Sequence, residues 1–109
     1  MTQNDADFIR KWVLHACEKN GANEIAENIK YEISTKMTER LAIAYLDAFL
    51  IRFSKRWWGL IKKETKINLI IHETSHIIIN WKMGEKAKPH GNEWKRCVLN
   101  AGQTPIVRY

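Results

Sequence analysis

The chain has 109 residues, enough for one domain with one modest core, and its 45% apolar and 28% charged content fits a globular fold rather than a disordered one. Residues 1–7 are polar and acidic, and the most apolar run, 67–81, contains Asn68, His72, Glu73 and His76 and is shorter than the roughly 20 residues that cross a bilayer. Neither export nor a membrane partner is therefore expected, and a cytoplasmic location follows.

In chain order, Phe8, Trp12, Val13 and Ala16 recur at helical spacing between about Asp5 and Lys19, and Asn20-Gly21-Ala22-Asn23 reads as a turn. A short helical piece is expected around Glu24 to Asn28. Three extended segments follow, Lys30 to Ser34, Leu41 to Leu46 and Phe49 to Phe53, with Leu41 to Tyr45 also readable as helix. An antiparallel meander with a tight turn at Asp47-Ala48 is the economical arrangement, although that turn lacks glycine. Ser54 can cap a helix opening at Lys55, whose Trp57-Trp58 pair reads as core packing. From Thr65 to Met83, Ile67, Ile70, Ile71, Thr74, Ile78 and Trp81 trace one helical face, and Asn68, His72, Ser75, His76 and Ile79 another. Gly84 ends that helix, a polar loop leads to Pro89-His90, and a last helix from about Asn92 carries Trp94, Cys97, Val98 and Ala101 inward until Gly102. The expected fold is a single α+β domain over residues 1–109: N-terminal helix, small three-stranded antiparallel sheet, long histidine-bearing helix and C-terminal helix. Cys17 and Cys97 form no Cys-x-x-Cys pair and read as buried reduced thiols.

The segment His72-Glu73-Thr74-Ser75-His76 carries the chemistry. Residues four apart on a helix share a face, so His72 and His76 can aim two imidazole nitrogens at one metal ion. Glu73, one position round from the first ligand, can reach a water held by the metal without entering the coordination sphere. It can take that water's proton as the water attacks a carbonyl, and return it to the leaving amine. Catalytic zinc usually has three protein ligands and one open position. His90 is the favoured third donor, because the polar loop turns the chain back and Gly91 permits close approach. Glu93, opening the next helix, and His15, on the first, are the alternatives. One zinc ion per chain is expected.

Charge divides the chain. Residues 1–51 carry 6 Lys and Arg against 8 Asp and Glu, whereas residues 52–109 carry 12 against 4 within a total of +6. The basic half contains the histidine motif, and its clustered charge allows a polyanionic partner such as DNA or other nucleic acid. Lys82, Lys86 and Lys88 flank the route to His90, either as a basic rim to the cleft or as a solvated loop. Asn68, Tyr45 and Arg108 are candidates for stabilising an oxyanion, without a spacing argument behind any of them.

These segments resemble the SprT-like family of zinc metallopeptidase domains, to which the protease domain of Spartan also belongs. Ile51 to Trp58 resembles the family's strand running into its active-site helices, His72 to His76 its zinc helix, Pro89-His90-Gly91-Asn92-Glu93-Trp94 its His-Gly-x-x-Trp/Phe element, and Val98 to Gly102 the continuation. The resemblance spans about residues 30–105. It implies zinc on His72, His76 and His90, Glu73 as general base and acid, a protein or peptide substrate, and an α+β fold with the sheet beside the zinc helix. Two departures follow: no four-cysteine zinc ribbon and no long DNA-binding tail are expected here. A zinc-stabilised, non-proteolytic nucleic-acid-binding or regulatory module is the alternative function.

Overall fold

The computed structural model describes residues 1–107. Five α-helices and three strands run in the order α1 (Gln3–Lys19), α2 (Asn23–Ala26), β1 (Lys30–Ser34), β2 (Ala42–Tyr45), β3 (Leu50–Ser54), α3 (Lys55–Trp58), α4 (Lys63–Met83) and α5 (Asn92–Asn100), with a 3-10 turn at Gly84–Lys86. The α+β architecture is as the sequence suggests. None of the described helices is long and apolar enough to cross a membrane.

Local signals place most boundaries. Thr2 caps α1 by accepting the Asp5 N–H, and Gly21 at φ +63 closes its other end. Ser54 caps α3 from a fully buried position, accepting the Trp57 N–H while donating to the Met37 carbonyl at 2.7 Å. Of the pair read as core, Trp58 is buried against Phe53 and Phe8, whereas Trp57 is half-buried and donates from Nε1 to the Thr38 carbonyl at 3.0 Å.

The sheet departs from the expected meander. Its order is β1-β3-β2, with β1 parallel and β2 antiparallel to β3, so it is mixed. The central strand is β3, whose Ile51, Phe53 and Ser54 are fully buried. The linker 35–41 is long enough to carry the chain across β3 to its far side, where β2 becomes an edge. The β2–β3 connection also differs: Tyr45 pairs with Leu50, leaving residues 46–49 as a four-residue turn in place of Asp47-Ala48. Phe49 takes the left-handed conformation there, at φ +50, where a glycine would have announced the turn.

Helix α4 runs through the middle of the domain, packed against α1, α5 and β2. Eleven of its residues, including every position from Asn68 to Ser75, are buried. A periodic reading divides this helix into an apolar stripe and an outer polar face. In the structure both are covered through the middle of the helix, the second by β2, the loop before α5 and the segment after it, while Trp81 at the end of the stripe is exposed.

Candidate metal centre

His72 and His76 lie one turn apart on the covered face of α4, the first 7% exposed. His90 reaches them from a tight turn, closed by the Gly91 N–H on the Lys88 carbonyl at 3.0 Å. Pro89 occupies the second position of that turn and His90 the third at φ +57, the sign a type II turn requires there. A Cβ on Gly91 would lie 3.1 Å from both the carbonyl oxygen and the Cβ of Lys88, so the close approach expected of this glycine is present.

The three Nε2 atoms form a nearly equilateral triangle, with sides of 3.3 Å (His72–His76), 3.2 Å (His76–His90) and 3.3 Å (His90–His72). An ion bound tetrahedrally through nitrogens at about 2.0–2.1 Å would hold them about 3.3–3.4 Å apart. Each ring nitrogen has a single in-plane lone pair or hydrogen, so three that meet at one point cannot all be satisfied by hydrogen bonds to one another. A cation between them satisfies all three. His72, His76 and His90 thus form a group that can hold a metal ion. Of the two alternatives, Glu93 is exposed in the first turn of α5, and His15 hydrogen-bonds through Nε2 to the Ala101 carbonyl at 2.9 Å.

Burial keeps these imidazoles neutral. Desolvation, helped by the nearby His90, lowers His72 to about 4; desolvation together with both neighbouring histidines lowers His76 to about 3; desolvation also lowers His90. At neutral pH the lone pairs are available to a metal without first losing a proton.

Two outer contacts orient the rings, and sequence reasoning assigned neither of them a site role. Trp94 packs on all three histidines, with ring centroids at 4.8, 5.4 and 4.6 Å from His72, His76 and His90, and its indole N–H donates to the His72 carbonyl at 3.2 Å. Its signals were its inward position on the last helix and its place as the aromatic of the His-Gly-x-x-Trp/Phe element, neither of which says that it packs on the ligands. The second contact is the Ile106 carbonyl, 3.0 Å from Nδ1 of His72. As an acceptor it puts the ring proton on Nδ1 and leaves the Nε2 lone pair facing the other two histidines.

The cluster opens on a cleft of about 650 Å³. Leu69, His72, Glu73 and His76 make its floor, Arg40 to Ala44 and Leu46 one wall, and Pro89, His90 and Val107 other parts of the rim. Glu73 is 6% exposed, and burial pushes its carboxyl up to about 8 against the opposing positive charge of Arg40. Arg40 is exposed, just ahead of β2, and among the described residues it makes no ion pair.

The oxyanion candidates lie elsewhere or beyond description. Asn68 binds the segment after α5, Tyr45 receives a hydrogen bond from Arg52 at 3.2 Å, and Arg108 falls outside the described residues. Lys82 donates from Nζ to the Asn20 carbonyl at the end of α1, whereas Lys86 and Lys88 are exposed close to Pro89 and His90.

Comparison with known proteins assigns the chain a family. The chain is similar to proteins named SprT from Pseudomonas fluorescens (26% identity over 78 residues, 71% of this chain and 48% of that protein). It is also similar to those from Actinobacillus succinogenes (30% over 70 residues, 64% and 41%) and Pseudomonas aeruginosa (28% over 57 residues, 52% and 34%). The chain thus spans less than half the length of these curated relatives. No solved structure matches it. The profile of the SprT-like family matches residues 9–108, which include the three histidines, Glu73 and Trp94, and the chain belongs to that family.

Proposed function

We propose that the chain is a zinc-dependent endopeptidase that binds one zinc ion on His72, His76 and His90 and cleaves protein substrates. The observation that carries this reading is the Nε2 triangle, with edges of 3.2–3.3 Å matching a tetrahedral ion, on the floor of an open cleft beside a buried glutamate. A zinc ion bound there supplies Lewis acidity, polarising a carbonyl and acidifying a water.

The chain's own residues do the rest. Glu73 takes the proton of the attacking water and delivers it to the leaving amine. Its burial favours the proton-bearing form, and a cation alongside acts in the same direction as Arg40, towards the ionised form that a base requires. Arg40, on the opposite wall, offers guanidinium N–H groups to a carbonyl oxygen as negative charge develops on it. Strand β2 pairs on one side with β3, and its residues Ala42, Ile43 and Ala44 line the cleft. An extended peptide adding to that edge would bring a backbone amide past the histidines, a recognition mode that tolerates many side chains.

Glu73→Gln tests the reading. It should lower the hydrolysis of a denatured protein substrate by about 10²- to 10⁴-fold, the span of general acid–base catalysis, while zinc stoichiometry stays at one per chain. Hydrolysis undiminished in the variant would assign the cleavage to something other than this site.

A further inference from the structure

The segment after α5 has a role that neither the metal ligands nor the cleft accounts for. Gly102, at φ +87, ends α5 in a Schellman closure: its N–H bonds to the Leu99 carbonyl at 2.9 Å and that of Gln103 to the Val98 carbonyl at 3.2 Å. The closure sends the chain back across the first half of α4. There Asn68, 6% exposed, donates through Nδ2 to the Gln103 side-chain oxygen at 3.2 Å and to the Thr104 carbonyl at 2.9 Å. Next, the Ile106 N–H closes a three-residue turn on the Thr104 carbonyl at 2.9 Å, with Pro105 at its centre fixing φ. That turn presents the Ile106 carbonyl to Nδ1 of His72 at 3.0 Å.

Asn68 and His72 are four residues apart on α4 and therefore on one face, so clamp and metal ligand are successive contacts along the same crossing segment. A buried asparagine within a helix is a poor helix former, and it is tolerated where its amide is satisfied. Asn68 is neither in the histidine cluster nor among the residues lining the cleft. The Ile106 side chain is 41% exposed, so its contribution to the site comes through the backbone.

We propose that residues 103–106 form a positioning strap, held by Asn68, which fixes the tautomer and orientation of His72 and thereby sets the affinity of the three-histidine site for zinc. The proposal rests on the reading of His72 as a ligand and adds Asn68 as a positioning residue outside the coordination sphere. Release of the strap removes the acceptor that holds the proton on Nδ1, so the proton can pass to Nε2 and part of the population offers the metal a protonated nitrogen.

The test is zinc affinity by competition with a chromophoric chelator, measured on the wild type, on Asn68→Leu, on the chain ended after Pro105, and on the two changes combined. The shortened chain keeps the Gln103 and Thr104 partners of Asn68 and lacks the Ile106 carbonyl, so it separates that part of the clamp from the contact that it delivers. Each single change should weaken zinc binding by about 10- to 100-fold, the usual effect of removing an outer-shell partner. The combination should be no weaker than the shortened chain alone, because both changes act through one contact. In the zinc-free proteins, the histidine ¹⁵N spectrum should show His72 passing from a single Nδ1–H tautomer to a mixture, with helical circular dichroism retained. Wild-type zinc affinity in the shortened chain, or losses that multiply in the combination, would overturn the strap. Zinc binding absent from the wild type would instead overturn the metal site on which the strap depends.

Discussion

Helix α4 is buried on both its sides, and the two sides treat their titratable groups differently. Where α4 meets α1 and α5, Cys17 and Cys97 are enclosed, and burial raises both thiols, Cys17 to about 12. On the cleft side His72 and Glu73 are buried almost as deeply, yet three imidazole nitrogens meet there at 3.2–3.3 Å, and the space beside them is open. Burial by itself silences an ionisable group. A site arises where lone pairs converge on one point and outer contacts such as Trp94 and the Ile106 carbonyl hold them there.

The largest test of this contrast exchanges a ligand for a core residue half a turn away. His76→Ala should weaken zinc binding more than about 100-fold, beyond the span of outer-shell substitutions, and should change the urea midpoint of the zinc-free protein little. Ile78→Ala removes a fully buried side chain and should cost about 2–5 kcal/mol of stability, while the folded protein keeps its zinc affinity within a few-fold. Chelator competition and urea unfolding measure the two quantities separately. If Ile78→Ala loosened zinc as much as His76→Ala does, the two sides would be one unit and the contrast would fail.

Acid and alkali sharpen the same contrast in the zinc-free protein. His72 and His76 have folded pKa values of about 4 and about 3, below the ordinary 6.5. The unfolded chain therefore binds more protons in that range, and the stability these groups contribute above pH 6.5 is lost as pH falls towards 3. Cys17 is shifted the other way, from 9.0 to about 12, so its contribution is complete below about pH 9 and disappears as pH rises towards 12. Urea midpoints across this range should fall at both ends. Saturating zinc should displace only the acid limb, to lower pH, because metal and protons compete for the imidazoles. An acid limb unmoved by zinc would separate the histidines from the metal.

Residues whose signals are local were legible in the sequence. His72 and His76 at four-residue spacing, the Ser54 cap, the helix-ending Gly102 and the Pro89-His90-Gly91 turn each act within one turn of their own position. Strand order was not legible, because β3, with Ile51 and Phe53 buried and Leu50 and Arg52 partly exposed between them, alternates like any strand with one covered face, and which strand becomes the centre depends on where the linkers carry the chain. Arg40 could not be singled out for a similar reason: it matters through where the 35–41 linker passes, and nothing in its neighbours specifies that path. The Ile106 contact uses a backbone carbonyl, which every residue possesses, so no residue type marks it. Asn68 carried a faint signal as a polar residue in an apolar run, yet its meaning as a clamp depends on a segment 35 residues later.

The smallest effect concerns the basic loop, where the structure divides the three lysines. Lys82 is committed to the Asn20 carbonyl at the C-terminal end of α1, a position where a cation stabilises the helix by roughly 0.3–1 kcal/mol. Lys86 and Lys88 are exposed beside the rim of the cleft and can contact a phosphate backbone without breaking such a bond. We propose that this rim holds nucleic acid beside the histidine cluster; neutralising both should then reduce the slope of log affinity against log salt for a short DNA duplex by about 2, at about 0.9 per phosphate contact. Adding Lys82→Gln should leave that slope where it is and lower only the stability of the protein. A slope that ignores Lys86 and Lys88 would mark the loop as solvated surface, and one that also responds to Lys82 would mean that the Asn20 bond gives way to DNA.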